Sequence, residues 1–202
     1  DREMKIIGFI GLGVMGCSMS KNLLKNKNWE VLVKDLNINK EKELENQGAK
    51  IASDTREIFT LSDLVITCLP GGDFIRDLYY GKDKYISDIK INQFIIDMST
   101  SQPDLMIKLE NEIKIKGAHF ADAPIARTRQ AAIDGTLAIM VGSDKDVYNK
   151  ILPVLRYMGK DILHCGKAGT GQLTKILNNM ILFETVVALS EATELILLSN
   201  TA

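Results

Sequence analysis

Residues 5–16 read K-I-I-G-F-I-G-L-G-V-M-G. The apolar run leads into Gly11, Gly13 and Gly16, which have G-x-G-x-x-G spacing between a predicted strand and a predicted helix. In this pattern the first glycine permits a tight turn, the second lets the backbone approach a pyrophosphate, and the third lets the helix pack closely on its strand. The N–H groups and the positive end of the helix dipole then face the phosphates. The stretch therefore predicts a dinucleotide-binding turn.

A second apolar segment, residues 31–35, ends in Asp35, 19 residues after Gly16. A carboxylate at this offset is suited to accept both hydroxyls of a ribose. Its charge repels a 2′-phosphate, and residues 36–39 (Leu-Asn-Ile-Asn) contain no arginine to bind one, so we expect NAD rather than NADP. Two ordinary alternatives stay open. The glycines could form a plain strand–helix turn, and Asp35 could cap the helix that begins near Asn39.

Composition limits the possible functions. The chain has 202 residues, of which 46% are hydrophobic, and a formal net charge of −1. This favours an ordinary globular core and gives no electrostatic footprint for nucleic acid or an anionic membrane. The three scattered cysteines indicate reduced thiols, and no Cys/His spacing predicts a metal site. Residues 1–3 show no targeting segment, so we expect a cytoplasmic location, or a mitochondrial one if a transit segment was removed.

Predicted strands and helices alternate along the chain. The strands are expected at 5–10, 30–35, 50–52, 64–69, 93–97, 118–121, 136–141 and 161–164. The helices are expected at 14–26, 39–47, 55–60, 73–79, 103–116, 144–157 and 170–198. Several strands are short and wholly apolar, as in sheets that are buried on both faces. The pattern predicts an α/β, doubly wound Rossmann-type domain over residues 1–165.

The last segment differs from the rest. Residues 172–200 contain neither Pro nor Gly and are apolar on nearly every face, which predicts a buried helix. Its acids Glu184, Glu191 and Glu194 argue against a membrane span. At about 45 Å, such a helix is longer than the preceding domain can cover. We expect residues 166–202 to form a linking helix and the start of a C-terminal helical domain that is absent from this chain, with a homo-oligomer formed through this region.

Further candidate sites stand at the ends of predicted strands, where open α/β sheets bind ligands. They are C-L-P-G-G (68–72), D-M-S-T-S-Q-P (97–103) and D-A-P-I-A-R-T (122–128), and each alone is also an ordinary loop. In G-T-G-Q-L-T-K-I-L-N-N (169–179), Lys175 and Asn179 share one helix face. We place Lys175 in the first helical turn, where the helix dipole and partial burial lower a lysine pKa and suit proton transfer. By spacing alone, a surface lysine is the commoner reading.

Taken together and in this order, these motifs resemble the β-hydroxyacid dehydrogenase family, from residue 5 to about 195. The resemblance implies a Rossmann domain, a long helix and a helical C-terminal domain. It also implies an NAD-dependent enzyme that interconverts a small β-hydroxy acid, such as 3-hydroxyisobutyrate, and its semialdehyde. A non-catalytic dinucleotide-binding module is the rival reading.

The resemblance also assigns roles to residues. Lys175 is the catalytic proton donor or acceptor, and Asn179, with Asn178 beside it, holds the substrate. The implied cofactor-binding residues are Gly11, Gly13, Val14, Met15, Gly16, Asp35, Leu69, Pro70 and Thr100.

One motif departs from the family. After D-A-P-x the common pattern is S-G-G, whereas this chain has Ala126-Arg127-Thr128, similar to the G-R-T of sulfolactaldehyde reductases in the same family. An added guanidinium suits a small anionic substrate, so we expect Arg127 and Thr128 to bind it. Sulfolactaldehyde and tartronate semialdehyde are therefore alternative substrates. Arg127 pointing to solvent, or pairing with Asp122, is the ordinary alternative.

Overall fold

The computed structural model describes residues 4–199. The predicted absence of a targeting segment at residues 1–3 lies outside this range. The strands are β1 Ile6–Ile10, β2 Glu30–Lys34, β3 Lys50–Ile51, β4 Leu64–Thr67, β5 Phe94–Asp97, β6 His119–Asp122, β7 Ile125–Ala126, β8 Leu137–Gly142 and β9 Gly159–Gly166. The helices are α1 Val14–Leu23, α2 Ile38–Glu45, α3 Thr55–Leu61, α4 Gly72–Tyr80, α5 Pro103–Ile115, α6 Arg129–Asp134, α7 Lys145–Leu155 and α8 Thr170–Ser199, with a 3-10 helix over Tyr85–Asp88.

All nine strands belong to one sheet, in the order β3-β2-β1-β4-β5-β6-β8-β7, with β9 paired to β8. The strands from β3 to β6 are parallel, and β8 runs antiparallel to β6 and β7. The strand order reverses direction between β1 and β4, which is the switch point where doubly wound sheets bind ligands at their carboxyl ends. This arrangement confirms the predicted fold class.

The apolar core lies on both faces of the sheet. Helices α1, α2, α6 and α7 cover one face, and α3, α4 and α5 cover the other. The central strand β4 (L-V-I-T) is buried along its whole length, as its mostly apolar sequence predicts. A sheet enclosed in this way has rigid strand ends, and it is these ends that position the candidate site.

The sequence did not predict three small elements, one of which is the 3-10 helix over Tyr85–Asp88. Strand β7 is only two residues long, and helix α6 is a six-residue segment that ends at Gly135 in the left-handed conformation (φ 70°). Neither is long enough to show a hydrophobic period. Helices α1 and α2 also end earlier than expected, at Leu23 and Glu45.

Helix α8 runs from Thr170 to Ser199, close to the predicted bounds. Its buried residues are Gly171 and Gln172, whereas large apolar side chains from Leu173 to Leu198 are exposed on the chain alone. The predicted burial is therefore not provided by the domain itself. Within residues 4–199 no helix has the length and apolarity needed to cross a membrane.

Candidate dinucleotide and substrate site

The three glycines of the turn between β1 and α1 have different environments. Gly11 has φ +95°, and a Cβ there would overlap the carbonyl oxygen of Cys68 on the neighbouring strand connection. A Cβ on Gly16 would overlap the carbonyl oxygen of Gly11, because α1 passes so close to the turn. A Cβ on Gly13 would meet no atom within 4 Å. Gly11 and Gly16 are therefore required by the fold itself, whereas the space beside the Gly13 Cα is open. We call this open space the cradle.

This cradle faces the start of α1. Gly13 is the N-cap of the helix, and no side chain in the described part of the chain caps it. Val14 is exposed and Met15 is half-buried. The first N–H groups of a helix lack partners within the helix and carry its positive dipole end. The residues present therefore fit the pyrophosphate of a dinucleotide, as the sequence predicted.

Asp35 lies immediately beside the glycine turn. Its Oδ2 accepts a hydrogen bond from the Leu12 N–H at 2.6 Å, and its Oδ1 accepts one from the Asn37 N–H at 2.8 Å. Its own N–H donates to Glu41 Oε1 at 2.9 Å. The cap of α2 is Asn37, whose side chain accepts from the Asn39 N–H, so the alternative reading of Asp35 as a helix cap is wrong. The carboxylate is fixed next to the turn, and each oxygen keeps a lone pair for a ribose hydroxyl.

The loops after β4 and β5 stand beside the turn and bond to each other. The Leu69 N–H donates to Ser99 Oγ at 2.9 Å, and the Ser99 N–H donates to Asp97 Oδ1 at 2.8 Å. Leu69 is half-buried, whereas Pro70 and Thr100 are exposed at the rim. The three predicted nicotinamide-side residues thus lie on connected loops at the carboxyl ends of adjacent strands.

The buried carboxyl group of Asp97 holds the loops after β4 and β5 by hydrogen bonds. Asp97 is fully buried at the end of β5, and its Oδ2 accepts a hydrogen bond from Thr67 Oγ1 at 2.8 Å. Burial raises the pKa of Asp97 to about 6, partly offset by these hydrogen bonds. Burial also raises the pKa of the Cys68 thiol to about 12, so this cysteine stays a neutral thiol at physiological pH.

The sequence did not predict that Asp122 holds the start of α8. Asp122 ends β6 and is fully buried. Its Oδ1 accepts a hydrogen bond from the Gly169 N–H at 2.7 Å, and its Oδ2 accepts one from the Gln172 N–H at 2.8 Å. Side chains at Gly142 or Gly171 would overlap this carboxylate. Both motifs were noted in the sequence: D-A-P (122–124) at a strand end and G-T-G (169–171) before the last helix. The sequence did not show that these two segments contact each other.

Burial, and in smaller part the nearby charge of Asp97, raise the pKa of Asp122 to about 6. The two helix N–H groups oppose that rise. The ordinary alternative of a pair between Asp122 and Arg127 is wrong, because Arg127 forms its ion pair with Asp161. The Asp122 carboxylate instead places the start of α8 at the carboxyl edge of the sheet, the same edge as the glycine turn.

Lys175 follows on this helix. Since α8 begins at Thr170, Lys175 stands in the second turn, not in the first as predicted. It is half-buried, and desolvation by this burial lowers its pKa, in line with the partial burial that the sequence predicted. Asn179 is half-buried one turn later on the same face, whereas Asn178 is exposed.

Residues 126–128 lie beside β8, away from the point where Asp122 of β6 pairs with Gly142. Ala126 pairs with Ala138 near the start of β8, about 13 Å along that strand from Gly142. Arg127 donates to the carbonyl oxygen of Thr136 at 2.8 Å and forms an exposed ion pair with Asp161. Its backbone has φ +88°, a conformation that favours glycine and matches the S-G-G pattern expected here.

Thr128 is the N-cap of α6 and accepts a hydrogen bond from the Ala131 N–H at 3.3 Å. Both residues proposed to bind the anion therefore already have protein partners. Arg127 donates from both terminal guanidinium nitrogens, to the Thr136 carbonyl oxygen and to Asp161, and its side chain is exposed.

Comparison with known proteins agrees with this geometry. Residues 6–166 match the family described as the NAD binding domain of 6-phosphogluconate dehydrogenase. The chain is 37% identical over 192 residues to 2-(hydroxymethyl)glutarate dehydrogenase of Eubacterium barkeri, covering 95% of the chain and 63% of the relative. It is 39% identical over 192 residues to mitochondrial 3-hydroxyisobutyrate dehydrogenase of Drosophila melanogaster, covering 95% of the chain and 58% of the relative.

The solved structures include a similar one, 3-hydroxyisobutyrate dehydrogenase of Mycobacterium tuberculosis with L-serine. It superposes with a TM-score of 0.88 at 32% identity, covering 94% of this chain and 64% of that one. The chain thus spans about three fifths of the length of the curated relatives it matches. The matched region and the geometry of its glycine turn show that the chain belongs to the β-hydroxyacid dehydrogenase family and carries that family's NAD-binding domain.

Proposed function

We propose that the native protein catalyses the NAD-dependent interconversion of a small β-hydroxy acid and its semialdehyde. The observation that carries the proposal is the position of Lys175. Its partly desolvated amine lies on a helix whose first turn is bonded to the carboxyl edge of the sheet, beside the loops of Leu69 and Thr100. A lysine with a lowered pKa at the switch point of a dinucleotide-binding sheet is suited to acid–base chemistry.

In this proposal the cofactor and each site residue have a separate role. When bound, NAD supplies the redox chemistry, accepting or giving a hydride at its nicotinamide ring. Lys175 Nζ gives a proton to the carbonyl oxygen in reduction and, as the neutral amine, removes the hydroxyl proton in oxidation. Asn179, one turn away on the same face, orients the substrate, and the exposed Asn178 lies next to it. The half-buried Leu69 limits access of water from the side of β4.

The adenosine side of the site favours NAD over NADP in this proposal. The Asp35 carboxylate is held by two backbone N–H groups at the rim of the turn, and an anion there repels a 2′-phosphate. The buried Glu41 accepts the Asp35 N–H and pairs with Lys34 Nζ at 3.1 Å, so it supports the Asp35 backbone.

The substrate class follows from chemistry that the relatives' names share. 2-(Hydroxymethyl)glutarate and 3-hydroxyisobutyrate both carry a hydroxymethyl group on the carbon next to a carboxylate, and L-serine has the same arrangement. We propose a substrate of this type, with its carboxylate near Arg127 and Thr128. Sulfolactaldehyde and tartronate semialdehyde remain the alternatives, because a guanidinium fork also suits a sulfonate.

The surroundings of the site belong to the same proposal. The exposed apolar surface of α8 supports packing against a helical partner, either further sequence of the native protein or a second subunit. A homo-oligomer formed through this helix, a cytoplasmic or mitochondrial location, and a division into residues 1–165 and 166–202 stay predictions.

Turnover measurements on the native protein test the proposal. We expect NAD-dependent oxidation of 3-hydroxyisobutyrate or 2-(hydroxymethyl)glutarate, or NADH-dependent reduction of sulfolactaldehyde or tartronate semialdehyde. Lys175→Ala should reduce kcat by about 100-fold or more while NADH affinity stays within about threefold. Full turnover by Lys175→Ala would remove the assigned proton donor, and NADH binding without turnover of any β-hydroxy acid or semialdehyde would favour the non-catalytic module.

A further inference from the structure

Gln172 links the first turn of α8 to the loop after β5. Its side-chain Nε2 donates to the Ser99 carbonyl oxygen at 2.7 Å, and its Oε1 accepts from the Ser101 N–H at 2.9 Å. The two bonded residues flank Thr100, and Gln172 is fully buried. A primary amide that uses both of its ends on one backbone segment fixes the distance and the orientation of that segment.

Asp122 holds the same turn from the other side. Its two oxygens accept the Gly169 and Gln172 N–H groups, so residue 172 is bonded through both its backbone and its side chain. Lys175 is three residues further along and therefore lies nearly above Gln172 on the same helix face. Movement of Gln172 relative to the loop would carry the lysine with it.

We infer that Gln172 is a positioning residue that sets the place of the Lys175 amine relative to the loop carrying Thr100. The inference rests on the proposed function of Lys175. Without the two side-chain bonds of Gln172, which we call the clamp, the direct hydrogen-bonded link between α8 and the loop after β5 is lost, and the helix can tilt relative to this loop. A displacement of about 1 Å at a reacting group can reduce turnover by about 100-fold.

A matched control exists at the opposite edge of the sheet. Gln93 is also buried, and its Nε2 donates to the carbonyl oxygens of Phe59 and Ser62, both at 2.8 Å. It precedes β5, whereas the Gln172 clamp follows this strand. Replacing either glutamine by glutamate puts a carboxylate oxygen against backbone carbonyl oxygens and costs stability. The Gln93 variant does so far from Lys175.

Gln172→Glu and Gln93→Glu should be compared in the native protein. We expect both to lower Tm, and only Gln172→Glu to reduce kcat, by about 10- to 100-fold, with NADH affinity within about threefold. The pH limb is read in Gln172→Met and Gln93→Met, because methionine removes the side-chain bonds without placing a new charge near the amine. Looser packing hydrates the amine, so the pH limb governed by Lys175 should move to higher pH in Gln172→Met alone. Unchanged kcat and an unchanged pH limb in Gln172→Met, or equal losses in Gln93→Met, would overturn the inference.

A second readout separates this inference from the proposed function. The pKa of Lys175 is measured by NMR after reductive ¹³C-methylation, with Lys175→Arg used to assign its signal. We expect a pKa below the ordinary lysine value that rises in the uncharged variant Gln172→Met and not in Gln93→Met. Such a rise in a protein without dehydrogenase activity would support the positioning and refute the enzyme. An unmoved pKa would refute the positioning whatever the activity.

Discussion

Gly13→Ala should separate binding of the dinucleotide from stability of the fold. Gly13 has φ −60° and ψ −171°, angles open to alanine, and its Cβ would meet no protein atom within 4 Å. We therefore expect the free energy of unfolding to stay within about 1 kcal/mol of the natural chain, or to rise slightly because the unfolded state loses freedom. The added methyl group instead occupies the cradle that faces the start of α1.

The expected loss of affinity follows from this geometry. Overfilling a close-packed contact costs about 1–3 kcal/mol. Because about 1.4 kcal/mol corresponds to a factor of ten, the Kd for NADH should rise by about 5- to 140-fold. Isothermal titration gives the Kd, and thermal unfolding of the same preparation gives Tm.

Gly16→Ala is the matched control for this variant. Its Cβ would overlap the carbonyl oxygen of Gly11, so the protein itself is strained. We expect destabilisation by about 1–3 kcal/mol, which lowers Tm by about 2–4 °C for each kcal/mol in a chain of this size. NADH binding by Gly13→Ala that equals that of the natural chain, or a Tm loss as large as in Gly16→Ala, would refute the placement of the pyrophosphate.

Three further predictions concern charged groups. Asp35→Asn keeps an acceptor for the turn but removes the charge, so the preference for NAD over NADP should fall by about tenfold or more, and an unchanged Kd ratio would contradict the role of Asp35. Arg127→Met should raise KM for the anionic substrate by about tenfold, whereas an unchanged KM would leave the guanidinium only its exposed contact with Asp161, worth about 0–1 kcal/mol. Burial raises the pKa of Asp97 to about 6, above an ordinary value of about 3.9, so the native state holds a proton that the unfolded state releases between these pH values. This contribution to stability is present at pH 4 and is lost as pH rises through 6, so denaturant titrations should show up to about 3 kcal/mol of pH dependence that Asp97→Asn lacks.

The glycine turn and the fold class were predictable because each depends on residues close together in sequence. The spacing of Gly11, Gly13 and Gly16 is enough to predict their turn, and the apolar runs are enough to predict that the strands are buried. Lys175 and Asn179 were paired correctly because helical periodicity alone places them on one face. The lowered pKa of Lys175 was predicted from partial burial and from the dipole of the first helical turn; the partial burial is observed, whereas the residue stands in the second turn.

The remainder of the site depends on contacts between distant segments. Asp122 and Gln172 join elements 50 residues apart, and Gln172 also reaches Ser99, 73 residues away. A single sequence does not show which strand end meets which helix start. Arg127 was predicted to bind an anionic substrate from its residue type alone. Its observed partner, Asp161, lies on β9, 34 residues later. Arg127 and Asp161 meet because β7 and β9 both pair with β8, an order of strands that the sequence does not show.

A crystal structure of the native protein with NAD⁺ and a β-hydroxy acid would test the position of Lys175 most directly. The distance to measure is that between Lys175 Nζ and the substrate hydroxyl oxygen. We predict about 2.6–3.2 Å, with the carboxamide of Asn179 on the same side of the substrate. A Lys175 amine turned into bulk solvent, with another group bonded to that hydroxyl, would contradict the proposed chemistry.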